Sequence, residues 1–231
     1  MLTMDPAIST NDDRLQEDLP LLSVAAPCAL AGALDQPDID AAIWTRATPA
    51  SVIDWLSQFP PERWPSGRYV LSPDAVAACL TDMFAGAGMA ASPALTWLAE
   101  DAERLAHCVR DLAGTAKVRL RFEPVFDNAC SKFHIDNVTA RLICTYLGPG
   151  TELSLAHLPT EAPQRVLTGA PILLKGKLWP GPGELQLHHR SPPIAGTGTV
   201  RLVMVLEGCA PDEYYALHDQ LYPQSEAEPA K

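Results

Sequence analysis

KVRLRFEPV, residues 117–125, alternates apolar Val118, Leu120 and Phe122 with cationic Lys117, Arg119 and Arg121. Successive side chains of an extended chain point to opposite faces, so this stretch reads as a strand with one face on a core and one face wet. Strand-like runs follow at VTARLICTYL (138–147), PILLK (171–175), ELQLHH (184–189) and TVRLVMVLE (199–207), separated by Gly- and Pro-rich turns such as GPGT and WPGPG. This spacing predicts an antiparallel sheet domain, sandwich or barrel, over residues 116–210.

Upstream of Gly114 the period changes. Leu95, Leu98, Ala102, Leu105, Val109 and Leu112 recur at steps of three and four, an apolar stripe on a helix that ends near Gly114. The pairs Thr48-Pro49, Ser72-Pro73 and Ser92-Pro93 each offer a capping hydroxyl followed by a proline suited to the first helical position. Residues 38–115 therefore read as a helical part packed on the sheet domain. Residues 1–37, rich in Asp, Pro and Ala without sustained periodicity, read as a loosely attached arm, and residues 211–231 as a tail. The fold class expected is α+β.

The 231 residues are 47% hydrophobic and 19% charged, which excludes wholesale disorder. Against 28 acidic residues stand 17 Lys and Arg, a net charge of −11, which argues against non-specific nucleic-acid binding. The excess is one-sided: up to Thr115 there are 6 basic and 16 acidic residues, and beyond it 11 and 12. The second half can thus still hold an anion. No apolar run reaches the roughly 18 residues of a membrane span. The acidic start lacks the basic-then-apolar order of a signal peptide, so a cytoplasmic protein is expected. Cys28, Cys79, Cys108, Cys130, Cys144 and Cys209 form no CxxC pair, and neither a zinc knuckle nor a disulfide framework is implied.

Chemistry concentrates in FHIDNVTARLICTYLGPGT, residues 133–151. His134 and Asp136 are two apart, so on a strand they share a face and can grip one metal ion. Such a pair is also what a histidine with a hydrogen-bonded Asp at a strand end looks like. A third ligand candidate follows in LQLHHRSPP, where His188 and His189 compete, because adjacent strand residues face opposite sides and register is not readable. Two histidines and a carboxylate make a facial triad that leaves three coordination positions open. Arg201, twelve residues after His189, can form a two-pronged salt bridge with the far carboxylate of a dicarboxylic acid chelating that metal. In VRLVMVLE, Arg201, Val203 and Val205 share one face and Leu202, Met204 and Leu206 the other, so the strand is buried on both sides and its cation needs a partner. Arg141 and Arg190 can reach a substrate anion or be salt-bridged. Cys130 is either a fourth, soft ligand that would favour zinc or an inert thiol.

The order H-x-D, distal His, then Arg on the next strand resembles the Fe(II)/2-oxoglutarate-dependent oxygenases of the double-stranded β-helix (jelly-roll, cupin-like) fold. That resemblance covers about 118–207. It implies His134, Asp136 and His189 as metal ligands, Fe(II) and 2-oxoglutarate as cofactors, Arg201 as the co-substrate anchor, and Tyr146 as a hydrogen-bonding residue for the same co-substrate. AIWTR (42–46), CSKFHIDNV, RLICTYLGPGTE, LLKGKLWPG, HHRSPPI and VRLVMVLE are in turn similar to a bacterial family, domain of unknown function 1826. Membership implies a cytoplasmic bacterial setting and an association with zinc limitation, and its HRSPP position favours His189. Two functional expectations follow from the same residues. The first is an oxygenase acting on an unknown substrate with a small-molecule co-substrate. The second is a non-catalytic divalent-metal module that holds Zn(II) without co-substrate.

Overall fold

In the computed structural model, residues 19–155, 163–181 and 183–210 are described. The alternation at 117–125 becomes strand β4 (Lys117–Val125), with Val118, Leu120 and Phe122 buried and the residues between them only half-covered. Strand β10 (Arg201–Cys209) runs antiparallel between β4 and β5 (Ala140–Leu147). The sheet is completed by β8 (Ile172–Lys175) and by three strands from the N-terminal half, β1 (Leu21–Val24), β2 (Ala41–Trp44) and β3 (Gly67–Leu71). Its order is β1-β2-β8-β5-β10-β4-β3, a mixed α/β architecture built on one large sheet. A second sheet, β7-β6-β9, consists of β6 (Glu152–Leu155), β7 (Gln164–Arg165) and β9 (Leu187–Arg190).

Two cores follow from the pleat of β10. Leu202, Met204 and Leu206, with Leu142, Cys144 and Tyr146 of β5, join a cluster that includes side chains of the helices α1 (Ala29–Ala33), α2 (Ala50–Leu56), α3 (Val76–Gly86) and α4 (Pro93–Ala113). Val203 and Val205, with Ile143, Ile172 and Leu174, meet Leu153, Val166 and Leu187 of the small-sheet side. Burying each such side chain contributes about 1.5–3 kcal/mol, which makes the doubly covered β10 the backbone of the fold. Among the described residues no helix is long and apolar enough to cross a membrane.

Helix α4 has the ends its sequence anticipates. Ser92 is extended and its Oγ accepts from Leu95 N at 3.1 Å, Pro93 takes the first position, and Gly114 closes the helix in the left-handed region at φ 61°. Thr48 and Ser72 depart from the expectation. The Thr48 hydroxyl donates to the Tyr146 carbonyl at 2.8 Å, and Ser72 makes no capping bond before a short 3-10 turn.

The N-terminal half is also less helical than its reading. From Leu19 onward the expected arm is built into the fold: β1 pairs in parallel with β2, β2 pairs with β8, and β3 with β4. These strands are four or five residues long. AAIW has its first three residues buried together, so no alternation betrays it. Residues 1–18 of the arm and the tail 211–231 lie outside the described residues. The stretch between Gly148 and Gly169 supplies β6 and β7.

A polar network sits inside the helix-side core. Arg46 reaches Asp101 of α4 at 2.5 Å, and the Tyr146 hydroxyl donates to the same Oδ2 at 2.9 Å. Arg46 also lies against Trp44 and Trp97, its guanidinium carbon 4.6 and 5.2 Å from their ring centres. Burial pushes the Asp101 carboxyl up, and the Arg46 charge opposes it. Arg46→Ala, which leaves that carboxylate without its partner, is expected to cost about 3–5 kcal/mol. Urea unfolding should also show the double variant Arg46→Leu/Asp101→Leu to be less destabilised than the single one.

Candidate metal centre

His134 stands in extended chain ahead of β5 and pairs with β9 at one point. His134 N donates to His189 O at 3.1 Å and His189 N to His134 O at 3.0 Å. A closed antiparallel pair places its two residues directly opposite, so both imidazoles leave the same face, with ring centres 4.6 Å apart. Asp136 returns to that face, and its carbonyl accepts from Lys177 N at 2.8 Å. The same pairing separates the two adjacent histidines. His188 is opposite Ser154 and lines a different cleft, of about 730 Å³, with Ile135, Lys175 and Trp179.

Asp136 Oδ1 lies 3.5 Å from His134 Nε2 and Oδ2 3.1 Å from His189 Nε2. One candidate ligand atom from each residue falls within 4.8 Å of the others. Ligands about 2.1 Å from one ion on adjacent octahedral corners are about 3.0 Å apart, so a small inward adjustment brings the set onto a metal. His134 Nδ1 is 2.7 Å from the Lys132 carbonyl. A carbonyl only accepts, so Nδ1 carries the proton and Nε2 turns its lone pair to the site.

Among the described residues the buried Asp136 Oδ2 has no well-aligned hydrogen bond, His189 Nε2 standing 3.1 Å away. An unsatisfied buried carboxylate oxygen is costly, and a cation is the partner this one lacks. Burial pushes the Asp136 carboxyl up, but His189, Arg141 and His134 outweigh it and hold it below its ordinary value. It is therefore ionised at neutral pH. The donor set fits Fe(II) and Zn(II) alike.

Arginines surround the triad. Arg141 donates to Asp136 Oδ1 and, through Nε at 2.6 Å, to Glu207. Arg190 donates to Glu152 at 2.7 Å and lies 4.4 Å over the Phe133 ring centre. Both line the chamber, yet both are held by carboxylates of their own chain. Arg201 is different. It is 1% exposed and donates to the Pro149 carbonyl and Ser191 Oγ, both at 2.7 Å, and to Thr145 Oγ1 at 3.1 Å. Among the described residues it has no carboxylate within ion-pair distance. Burial pushes its guanidinium down to about 10, which leaves it cationic at neutral pH. His134, His189, Arg121, Arg141, Arg190 and Arg201 line one cavity of about 30 Å³.

Tyr146 is placed elsewhere. Its ring lies in the helix-side core and its hydroxyl on Asp101, so the structure does not bring it to the chamber. The pleat is the reason: Arg141, Ile143 and Thr145 face the site and Tyr146 faces away. A register shift opposite Leu202 and Val203 then turns Leu147 to the helix side as well. Thr145 and Ser191, which the sequence reading missed, take the role of holding Arg201. The signal for Thr145 was its place four residues after Arg141 on one strand, which puts both on the same face. Cys130, in the left-handed region at φ 57°, lines the cavity but is not in the ligand cluster.

The family model described as "Protein of unknown function (DUF1826)" matches residues 25–207. The chain belongs to this family. No curated protein matches it. Among solved structures, this DUF1826 chain is similar to the dioxygenase for auxin oxidation from rice, at 14% identity and TM-score 0.49 with 84% of each chain covered. It is also similar to dioxygenase for auxin oxidation 1 from Arabidopsis thaliana in its 2-oxoglutarate complex, at 11% identity and TM-score 0.47 over 84% of this chain and 93% of that one. A bsmA homologue from Methylobium petroleophilum PM1 follows at 12% identity and TM-score 0.42, over 80% and 94%.

Replacing His134 or His189 by Ala should lower affinity for a divalent ion by more than ~100-fold in calorimetric titration, since even changes behind the ligands cost about 10–100-fold. His134, a third exposed, should leave the melting temperature of the metal-free protein nearly unchanged.

Proposed function

We propose that this DUF1826 protein is an Fe(II)/2-oxoglutarate-dependent oxygenase on a double-stranded β-helix. The observation that carries this reading is the buried Arg201, cationic and bonded only to neutral acceptors, in the same cavity as His134 and His189. Strand order supports the fold assignment: β4, β10, β5 and β8 face a set formed by the His134 bridge, β9, β6 and β7.

His134, Asp136 and His189 would hold the metal on one side and leave three positions free for the co-substrate and dioxygen. Bound Fe(II) supplies the redox centre at which 2-oxoglutarate and dioxygen become succinate and carbon dioxide, one oxygen atom going to the substrate. Arg201 receives the far carboxylate as a two-pronged pair, with Thr145 and Ser191 fixing the plane of its guanidinium. Ile143, Val203 and Val205 add an apolar part to the chamber lining, which helps to exclude water from that pair. Arg141 holds Asp136 ionised. Pockets for organic ligands run about 300–1,000 Å³, so the chamber must widen on binding, and its long arginine side chains are the parts free to swing.

Anaerobic addition of Fe(II) and 2-oxoglutarate is expected to produce the visible charge-transfer band of the chelate. Its absence, when a known oxygenase shows it, overturns the reading. Tight retention of Zn(II) without 2-oxoglutarate binding would favour the non-catalytic zinc module instead. Arg201→Ala is expected to weaken 2-oxoglutarate binding by about 2–5 kcal/mol while Fe(II) affinity changes little.

A further inference from the structure

Four of the twelve arginines in a chain of net charge −11 line one small chamber, and among the described residues the carboxylate beside them is Asp136 of the ligand cluster. Three of the four have an evident counter-charge. Arg141 has Asp136 and Glu207, Arg190 has Glu152, and Arg201, on the reading above, has the co-substrate. Arg121 of β4 has a weaker hold, an ion pair with Glu123 of its own strand at 3.4 Å. Among the described residues its buried Nε makes no hydrogen bond, and its side chain as a whole is 33% exposed.

The carboxylate that pairs with Arg121 is shared with a second cation. On its own strand Glu123 lies 3.4 Å from Nε, yet Glu123 also faces Arg68 at 3.8 Å. Arg119, one pleat the other way, lies 3.8 Å from Glu207, which already braces Arg141. Arg68 of β3 stands directly opposite Arg121, and Val205 of β10 flanks it on the other side. Like charges directly opposite across a strand pair destabilise a sheet, so a single Glu between two guanidinium groups leaves positive charge at the chamber wall. A cleft lined by charge of one sign concentrates anions.

We propose that Arg121 is the substrate-recognition residue, and that the molecule oxidised is a small organic acid whose carboxylate or phosphate sits on it. The inference rests on the co-substrate occupying Arg201, which leaves Arg121 as the second anion position beside the metal ligands. A guanidinium fork pairs with either acid group through two parallel hydrogen bonds, and Ile143, Val203 and Val205 give the rest of the molecule an apolar surface.

The test uses full-length protein loaded anaerobically with Fe(II) and 2-oxoglutarate, titrated with benzoate, with phenyl phosphate and with uncharged benzamide. Binding is read by calorimetry and by the shift of the chelate band. At least one acid should bind with an affinity that falls with ionic strength, and whichever of the two does so identifies the acid group. Benzamide should bind at least about tenfold more weakly. Arg121→Gln should lose about tenfold or more of the acid affinity and leave the 2-oxoglutarate affinity within about twofold, which also shows the fold to be intact. Equal binding of acids and benzamide, or no acid binding at all, overturns the proposal. Loss of 2-oxoglutarate affinity in Arg121→Gln overturns it too, by assigning Arg121 to the co-substrate. If no chelate band forms, the oxygenase reading fails on its own, and acid titration of the metal-free protein still decides whether Arg121 holds an anion.

Discussion

A guanidinium buried at the start of a strand with a hydrophobic core on each side constrains everything around it. Arg201 cannot move to solvent without pulling β10 out of both cores, and its charge cannot be left without donors' partners in so dry a place. The fold answers with three neutral oxygens, from Pro149, Ser191 and Thr145. These come from the turn after β5, the segment after β9 and β5 itself, so one side chain ties together the elements that border the chamber. Neutral acceptors satisfy the N–H groups and leave the net charge in place. A carboxylate there would have stabilised the protein more and closed the site to an anion.

The ligand cluster obeys the same logic with the sign reversed. Asp136 is buried and ionised, braced by Arg141 on one oxygen and unsatisfied on the other. The His134–His189 backbone pair brings two imidazoles to that open oxygen, and the Lys132 carbonyl orients one of them. A cation at the cluster and an anion at Arg201 would each relieve a deficit that the folded chain carries by itself. Binding both together places opposite charges next to each other in a largely buried site, where their attraction is less screened than in water.

The helical layer reaches the chamber only indirectly. Arg46, Asp101 and Tyr146 form a polar knot on the far face of the same sheet, and Tyr146 neighbours Thr145 along β5. Its contribution is to lock the pleat of that strand. The residue that holds Arg201 is thereby kept on the chamber side, at a position next to a register shift where the alternation would otherwise be easy to lose.

Much of this was legible in the sequence, and for local reasons. The strand at 117–125 alternates, helix α4 carries its own cap and its own glycine stop, and the two faces of VRLVMVLE follow from a period of two. His134 and Asp136 share a face for the same reason. The three short N-terminal strands and the pair β6 and β7 were not legible, because four buried or two paired residues carry no period. The choice of His189 over His188, and of Thr145 over Tyr146, depends on which residue stands opposite which on a neighbouring strand. That register is set by long-range hydrogen bonds and by the two cores on either side of β10, so periodicity left the matter open, the family likeness favoured His189, and tertiary structure decided which side chains face the chamber. The sequence by itself determined the residue types available there: histidine, carboxylate and a surplus of arginine.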